Sequence, residues 1–324
     1  MPATPIVRKS PPFLFSVVLP LLLLVTIVTS THPIFATEPG FVGRWNITLL
    51  EVDGYASAWL EIKPNVSKNK SGQLVWIFGG AEPIEDVAIT EDVLTFSHIF
   101  MGKRLHFTAR YAGDALSGTA TDHSSTIRWM GVRAPDLQTP TSLRQGAPIA
   151  IFSGNNLSGW TLRNESSPYC WHTEEGVLFN DSSCADLKSN IDFMNFHLHL
   201  EFRLDDKGGS GVYLRGRYEV QIANDGNGQP SPRSTGAIFG HIAPTLSAGK
   251  KPGEWQALDI TLLGRAVTVR LNDHIVIANQ EIPGITGGAL DSDEGRPGPI
   301  MLQGDHGRVS FRNIVITPLL NQIP

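Results

Sequence analysis

The stretch SGVYLRGRYEVQIAND, Ser210 to Asp225, decides how the rest of the chain is read. Val212, Leu214, Tyr218, Val220 and Ile222 share one parity, with Gly216 as a gap. Tyr213, Arg215, Arg217, Glu219 and Gln221 share the other. Successive strand residues point to opposite sides of a sheet, so the pattern predicts a strand with one buried and one polar face. Two guanidiniums, a carboxylate, an amide and a phenol suit a polyhydroxylated ligand. They suit a solvated outer face too, and parity does not separate the two.

Upstream, Phe196, Leu198, Leu200, Phe202 and Leu204 alternate with His197, His199, Glu201 and Arg203. A Gly-rich turn, Asp205 to Gly209, joins this strand to the next, so the two are expected to pair antiparallel. Glu201 and Arg203 would then neighbour Tyr213, Arg215 and Arg217. Downstream, Trp255–Leu263 and Ala266–Leu271 pair around Gly264, and LNDH (271–274) turns into Ile275–Ile277. Ile300–Gln303 and Val309–Ile316 close the chain, and no long helix is legible. Residues 149–320 therefore predict an all-β domain of two packed antiparallel sheets, a jelly-roll sandwich.

Residues 40–133 read as short strands, among them Tyr55–Ile62, Leu74–Phe78, Leu105–Tyr111 and Ile127–Val132. They predict a small antiparallel β-barrel or sandwich. Gly43-x-Trp45 is similar to the opening of a lipocalin-type barrel, and equally reads as a strand whose Trp fills the core. No chemistry is assigned there. Ala134–Pro148, with three prolines, reads as a linker.

At the N-terminus, Arg8 and Lys9 precede an apolar run from Pro12 to Val28, then Thr29, Ser30, Thr31 and Ala36. That order predicts a cleaved secretory signal over 1–36, hence a periplasmic or secreted protein free of the membrane after cleavage. A retained anchor is the competing reading, which Pro20 and the small residues after it disfavour. In an oxidising compartment Cys170 and Cys184 either bridge or stay as two thiols, and neither has metal-ligand spacing. The net charge of −5 is spread out, with no nucleic-acid footprint.

The motifs FSGNNLSGW (152–160), FHLHLEFRL (196–204), GGSGVYLRGRYEVQI (208–222), STGAIFG (234–240), KPGEWQALDITLLG (251–264), VRLNDHIV (269–276) and GPIMLQGDHGRVSFRNIVITPL (298–319) follow one another in order. As a set they resemble the 3-keto-disaccharide hydrolase domain family. The resemblance implies a concanavalin-like jelly roll acting on glycosides whose sugar C3 is a ketone. A C3 ketone acidifies the C2 proton, so such a site needs a base, groups to hold an enolate, and a proton donor for the leaving oxygen.

An ordinary concanavalin-like glycosidase carries two or more acids at alternate positions of one strand. Here the alternation is Glu219 then Gln221, and an amide serves neither as nucleophile nor as base. Glu219 is thus the first candidate catalytic residue. His306, whose imidazole titrates near neutral pH, and Asp305, able to orient it, are the second pair. Arg215, Gln221, Tyr213, Gln303, Arg217 and Glu201 are candidate substrate contacts, and His197, His199 and His241 are lesser ones. Asp291, Asp293 and Glu294 form a candidate calcium cluster, though nothing else of a recognised calcium loop accompanies them. No other cofactor is expected, the expected partner is a carbohydrate, and oligomeric state is left open. Two rival functions stay open: a lectin-like glycan-binding module and a conventional glycosidase.

Overall fold

The alternation seen in the sequence resolves into three antiparallel sheets. The structure, a computed structural model, describes residues 40–64, 72–154, 156–181, 184–206, 208–225 and 228–321. The expected signal segment lies outside them. No helix among the described residues is long and apolar enough to cross a membrane.

The first sheet contains β1 (Gly43–Leu49), β2 (Ser57–Ile62), β3 (Gly72–Trp76), β4 (Phe78–Pro83) and β5 (Glu85–Thr90). It continues with β6 (Val93–Phe100), β7 (Lys103–Ala112), β8 (Ala115–Thr121) and β9 (Thr126–Arg133). Their order is β4-β3-β2-β1-β9-β8-β7-β6-β5. The two outer strands are consecutive in the chain, separated by Ile84 alone, so the sheet curls into a nearly closed barrel. Of the two architectures expected here, the barrel is the one observed. Its interior is filled by side chains, with Trp45, Trp76, Trp129, Phe96 and Phe107 buried and the two phenylalanine rings stacked at 4.5 Å.

The sandwich begins with β10 (Leu143–Gln145), β11 (Ile149–Ala150), β12 (Trp160–Leu162), β13 (Trp171–Glu174), β14 (Val177–Asn180) and β15 (Leu187–Phe193). Next come β16 (Phe196–Leu204), β17 (Ser210–Leu214), β18 (Tyr218–Ile222) and β19 (Gln256–Leu263). It ends with β20 (Ala266–Leu271), β21 (His274–Glu281), β22 (Gly298–Leu302) and β23 (Val309–Asn321). One sheet runs β13-β14-β23-β16-β19-β20-β21, with β10 and β11 also on β23; the other runs β12-β15-β22-β17-β18. Leu198, Leu200 and Phe202 from the first meet Val212, Val220, Ile300 and Leu302 from the second in one core, all fully buried. Cys170 and Cys184 are bridged, with Cα atoms 6.0 Å apart.

Two expectations are corrected. First, β16 pairs with β19 and β23, whereas β17 pairs with β18 and β22. The Gly-rich segment after β16 therefore crosses from one sheet to the other and is not a hairpin turn. Both strands alternate, but alternation reports which face is buried and not which sheet a strand joins. Glu201 and Arg203 consequently do not neighbour Tyr213. Second, Ser210–Asp225 is not one strand. It folds back at Arg215 and Gly216, with φ of 54° and 69°, and Arg217 N donates to Leu214 O at 3.0 Å. The register couples Val212 to Val220 and Tyr213 to Glu219. Partners share parity, so the two faces keep their predicted members and only the turn arginines leave them.

Barrel and sandwich share a seam within one unit, 39–324. On β2, Ala58, Leu60 and Ile62 point into the barrel, while Trp59 points outward and is nonetheless fully buried, packed with the sandwich core. Its ring meets His241 edge-on at 5.3 Å. Gly80 and Gly240 touch backbone to backbone, and a Cβ on Gly80 would lie 2.8 Å from Gly240 Cα. Ala81 N donates to Gly240 O at 3.3 Å, and Gly288 N donates to Ile77 O at 2.7 Å.

Candidate functional site

β18 carries Glu219 and Gln221 on the face turned away from the sandwich core, as parity requires. Its free edge is occupied by the STGAIFG segment, where Phe239 N donates to Glu219 O at 3.0 Å and Gln221 N donates to Ala237 O at 2.9 Å. Thr286 continues the cover of the same edge, its Oγ1 accepting from Glu219 N at 3.0 Å. The N–H and the C=O of Glu219 are thus both held before its side chain does anything.

A cavity of about 340 Å³ opens above this face. Glu219, Tyr213 and Gln221 line it from the hairpin, and Gln303, Asp305 and His306 line it from the turn after β22. Glu219 and the Asp305–His306 pair therefore face a single cavity. Asp186, just before β15, and Arg233, directly before the STGAIFG segment, complete the polar lining.

The Glu219 carboxylate reaches its place because Gly211, across the hairpin, has no side chain. A Cβ there would lie 2.3 Å from Glu219 Oε1 and 2.6 Å from its Cγ, the kind of close approach that a glycine inside a strand permits. The other oxygen, Oε2, lies 3.0 Å from the Tyr213 hydroxyl, which also lies 2.9 Å from Gly287 O. The carbonyl only accepts and the phenol has one proton. When the phenol donates to Gly287, its oxygen can accept a hydrogen bond from a neutral Glu219. When Glu219 is ionised, it draws that proton and leaves the carbonyl unbonded.

Burial raises the Glu219 carboxyl to about 8, with the Tyr213 hydrogen bond and the nearby His306 charge pulling the other way. Burial likewise raises Asp186, against the Arg163 charge 3.4 Å away. His306 moves up because its Nδ1 is hydrogen-bonded to Asp305. The site therefore holds a carboxyl that gives up its proton unusually late and an imidazolium that keeps its own longer than usual. Groups so displaced from their ordinary ranges are what acid–base chemistry near neutrality uses.

Other candidates lie elsewhere. Arg215 is fully buried, with Nη2 donating to Tyr218 Oη and Gly264 O, both at 2.9 Å. Arg217 grips Asp291 with two hydrogen bonds, of 2.7 and 3.1 Å, and donates to Arg296 O. Glu201 sits on the other sheet, taking hydrogen bonds of 2.7 Å from Arg312 and from Asn313. None of the three lines the cavity, so their assignment as substrate contacts is corrected: the turn turns the arginines away, and the sheet crossover removes Glu201. His199 pairs with Asp259 at 2.8 Å, His197 approaches Thr261 at 3.2 Å, and His241 lies in the seam bonded to Ile285 O at 3.0 Å. Two of the three acids of the candidate calcium cluster are turned to protein donors, since Glu294 accepts from Tyr218 Oη at 2.7 Å while Asp291 holds Arg217. No group of three or more metal-ligating side chains gathers among the described residues.

Sequence reading missed Asp186, Arg233, Tyr55 and Phe78, all of which line the cavity. Arg233 directly precedes the STGAIFG motif, which was a signal. Asp186 is a lone acid before a strand, and the two aromatics come from the barrel. Nothing local marks those three.

Fold and cavity together define a class: a jelly-roll sandwich presenting a buried carboxyl opposite a histidine–aspartate pair. The chain belongs to the 3-keto-α-glucoside-1,2-lyase-like domain family, carbohydrate-active proteins, whose profile matches residues 147–317. It is similar to two solved structures from Parabacteroides distasonis ATCC 8503, each provisionally described as a glycosyl hydrolase. One is 26% identical, covering 58% of this chain and 94% of that one, with a TM-score of 0.46. The other is 29% identical, covering 53% and 98%, with a TM-score of 0.41. A β-glucanase from Bacillus licheniformis is 11% identical over 55% of this chain and 98% of that one, at a TM-score of 0.35. No curated protein matches the chain.

Proposed function

We propose that this protein is an exported enzyme that cleaves 3-keto-glycosides by elimination and rehydration. The observation that carries the reading is the opening of Glu219 and the Asp305–His306 pair into one cavity, in a chain of this family. In its ionised form Glu219 takes the C2 proton, and the electron pair moves toward the C3 oxygen. The enolate collapses, the C1–O bond breaks, and the leaving oxygen takes the proton of His306. Water then adds at C1, giving a proton to the neutral His306, while Glu219, once its carboxyl proton has exchanged with solvent, delivers a proton to C2. Every group ends as it began.

A carboxyl at about 8 is ionised in only about a tenth of molecules at pH 7, but that fraction is a much stronger base than an ordinary carboxylate. Arg233 and the amide nitrogens of Gln221 and Gln303 are the cavity donors for the enolate oxygen, and Gln221 Oε1, which has no protein partner, is left to accept from a sugar hydroxyl. The test is turnover of 3-keto-trehalose and aryl 3-keto-glucosides beside the parent glycosides. Release of the leaving group from the keto sugars alone is expected; a folded protein that leaves them untouched removes the reading.

A second reading, conventional glycoside hydrolysis, draws on Asp186 and Asp305, two further carboxylates lining the same cavity. Cleavage of the unoxidised parents in that panel would favour it. Saturable binding of parents and keto sugars without product would favour a lectin.

A further inference from the structure

The barrel does more than precede the sandwich: two of its aromatic side chains, Tyr55 and Phe78, form a wall of the cavity. Their rings meet at 4.5 Å, and the guanidinium of Arg163, from the sandwich, lies 3.8 Å over the other ring contact of the pair, Tyr55. Phe78 is 45% exposed, unusual for a phenylalanine whose neighbours on β3 are buried, and the surface it exposes faces the cavity lining. Its position is held at a backbone cost. The preceding residue, Ile77, has φ of 57°, a left-handed conformation that β-branched residues rarely adopt. That twist lets Ile77 O accept from Gly288 N while Phe78 turns to the cavity. Strain kept by tertiary bonds at a cavity wall points to a use for what it displays.

The reacting ring has one place to sit. Glu219 is almost wholly buried, so the C2 carbon must come down onto it and the rest of the substrate must point outward. Tyr55 and Asp186 also line a neighbouring groove of about 740 Å³, so the cavity continues on that side. The geometry points to Tyr55 and Phe78 as the subsite for the leaving group, receiving the face of a second sugar ring or an aryl ring. The barrel, not the sandwich, would then select which glycosides are cleaved. This rests on the proposed function for the identity of the reacting ring, but the subsite itself is a binding property. Flat C–H faces of sugars and aryl rings bury apolar area against aromatic side chains, whereas a methyl leaving group covers almost none.

The test compares aryl and methyl 3-keto-glucosides on the full chain, by kcat/KM and by calorimetric binding to a Glu219→Gln background that does not turn over. Phe78→Ala is expected to weaken the aryl ligand about tenfold, several times more than the methyl one, with Phe78→Tyr restoring it. Phe78 is half-exposed, so the variant is expected to fold, and Tyr55→Ala provides an independent second truncation. Equal losses on both ligands, or none, overturn the inference while leaving the enzyme intact. If the wild type turns over neither ligand yet binds the aryl one in a Phe78-dependent way, the subsite stands and the proposed reaction falls. If the wild type does not bind the aryl ligand at all, the subsite falls as well.

Discussion

Replacing Glu219 by glutamine separates two consequences of burying one acid. The side chain keeps its shape, and an amide still bonds the Tyr213 hydroxyl, but it no longer accepts a proton from carbon. Loss of a positioned base costs about a thousandfold in kcat/KM. Stability moves the other way. The folded carboxyl holds its proton up to about 8, whereas the unfolded chain releases it near 4.5. Between those values the unfolded state binds fewer protons, so stability falls as pH rises across the window. At 1.36 kcal/mol per tenfold change, the full window corresponds to about 5 kcal/mol, an order-of-magnitude value. Glutamine carries no such penalty. Urea unfolding at pH 5, 7 and 8.5 should therefore show the variant gaining on the wild type by several kcal/mol as pH rises, while its activity is lost at every pH. Parallel stability profiles would refute the claim that this carboxyl is held neutral by burial.

The glycine opposite Glu219 gives a second prediction. Gly211→Ala puts a methyl group into the space of Oε1, so activity should fall about tenfold or more, with a stability loss of about 1–3 kcal/mol in thermal or urea melts. Arg217→Ala should act on stability alone, costing about 2 kcal/mol because Asp291 loses its partner while remaining half-exposed, with KM for the keto sugars unchanged. Removing the disulfide by a Cys170→Ser, Cys184→Ser double change should cost about 3 kcal/mol, from a loop closed across 14 positions, measured by the same melts.

The strand at 210–222 shows how far the sequence could be read. Its parity assigned Tyr213, Glu219 and Gln221 to one face and Val212, Val220 and Ile222 to the other, and both assignments match the structure. They survive the fold-back because the register happens to couple residues of equal parity. The turn itself was hidden, since Arg215 in a left-handed conformation is not a residue that announces one. Its consequence was the misplacement of Arg215 and Arg217 among the substrate contacts. Glu201 was misread for a different reason: the sheet a strand joins depends on long-range pairing that a period of two does not encode. The His306 turn was legible because a polar, Gly-flanked segment at a strand end is a common place for function. Tyr55 and Phe78 were out of reach, more than a hundred residues from Glu219 and brought to it only by the glycine seam between barrel and sandwich.

The central claim is that Glu219 removes the C2 proton of a 3-keto-glycoside. Incubating the full chain with an aryl 3-keto-glucoside in deuterated water, and reading C2 of the released sugar by NMR, tests it directly. The account predicts deuterium at C2 of the product, formed by the wild type and abolished in Glu219→Gln. Product that retains its original C2 hydrogen would contradict it.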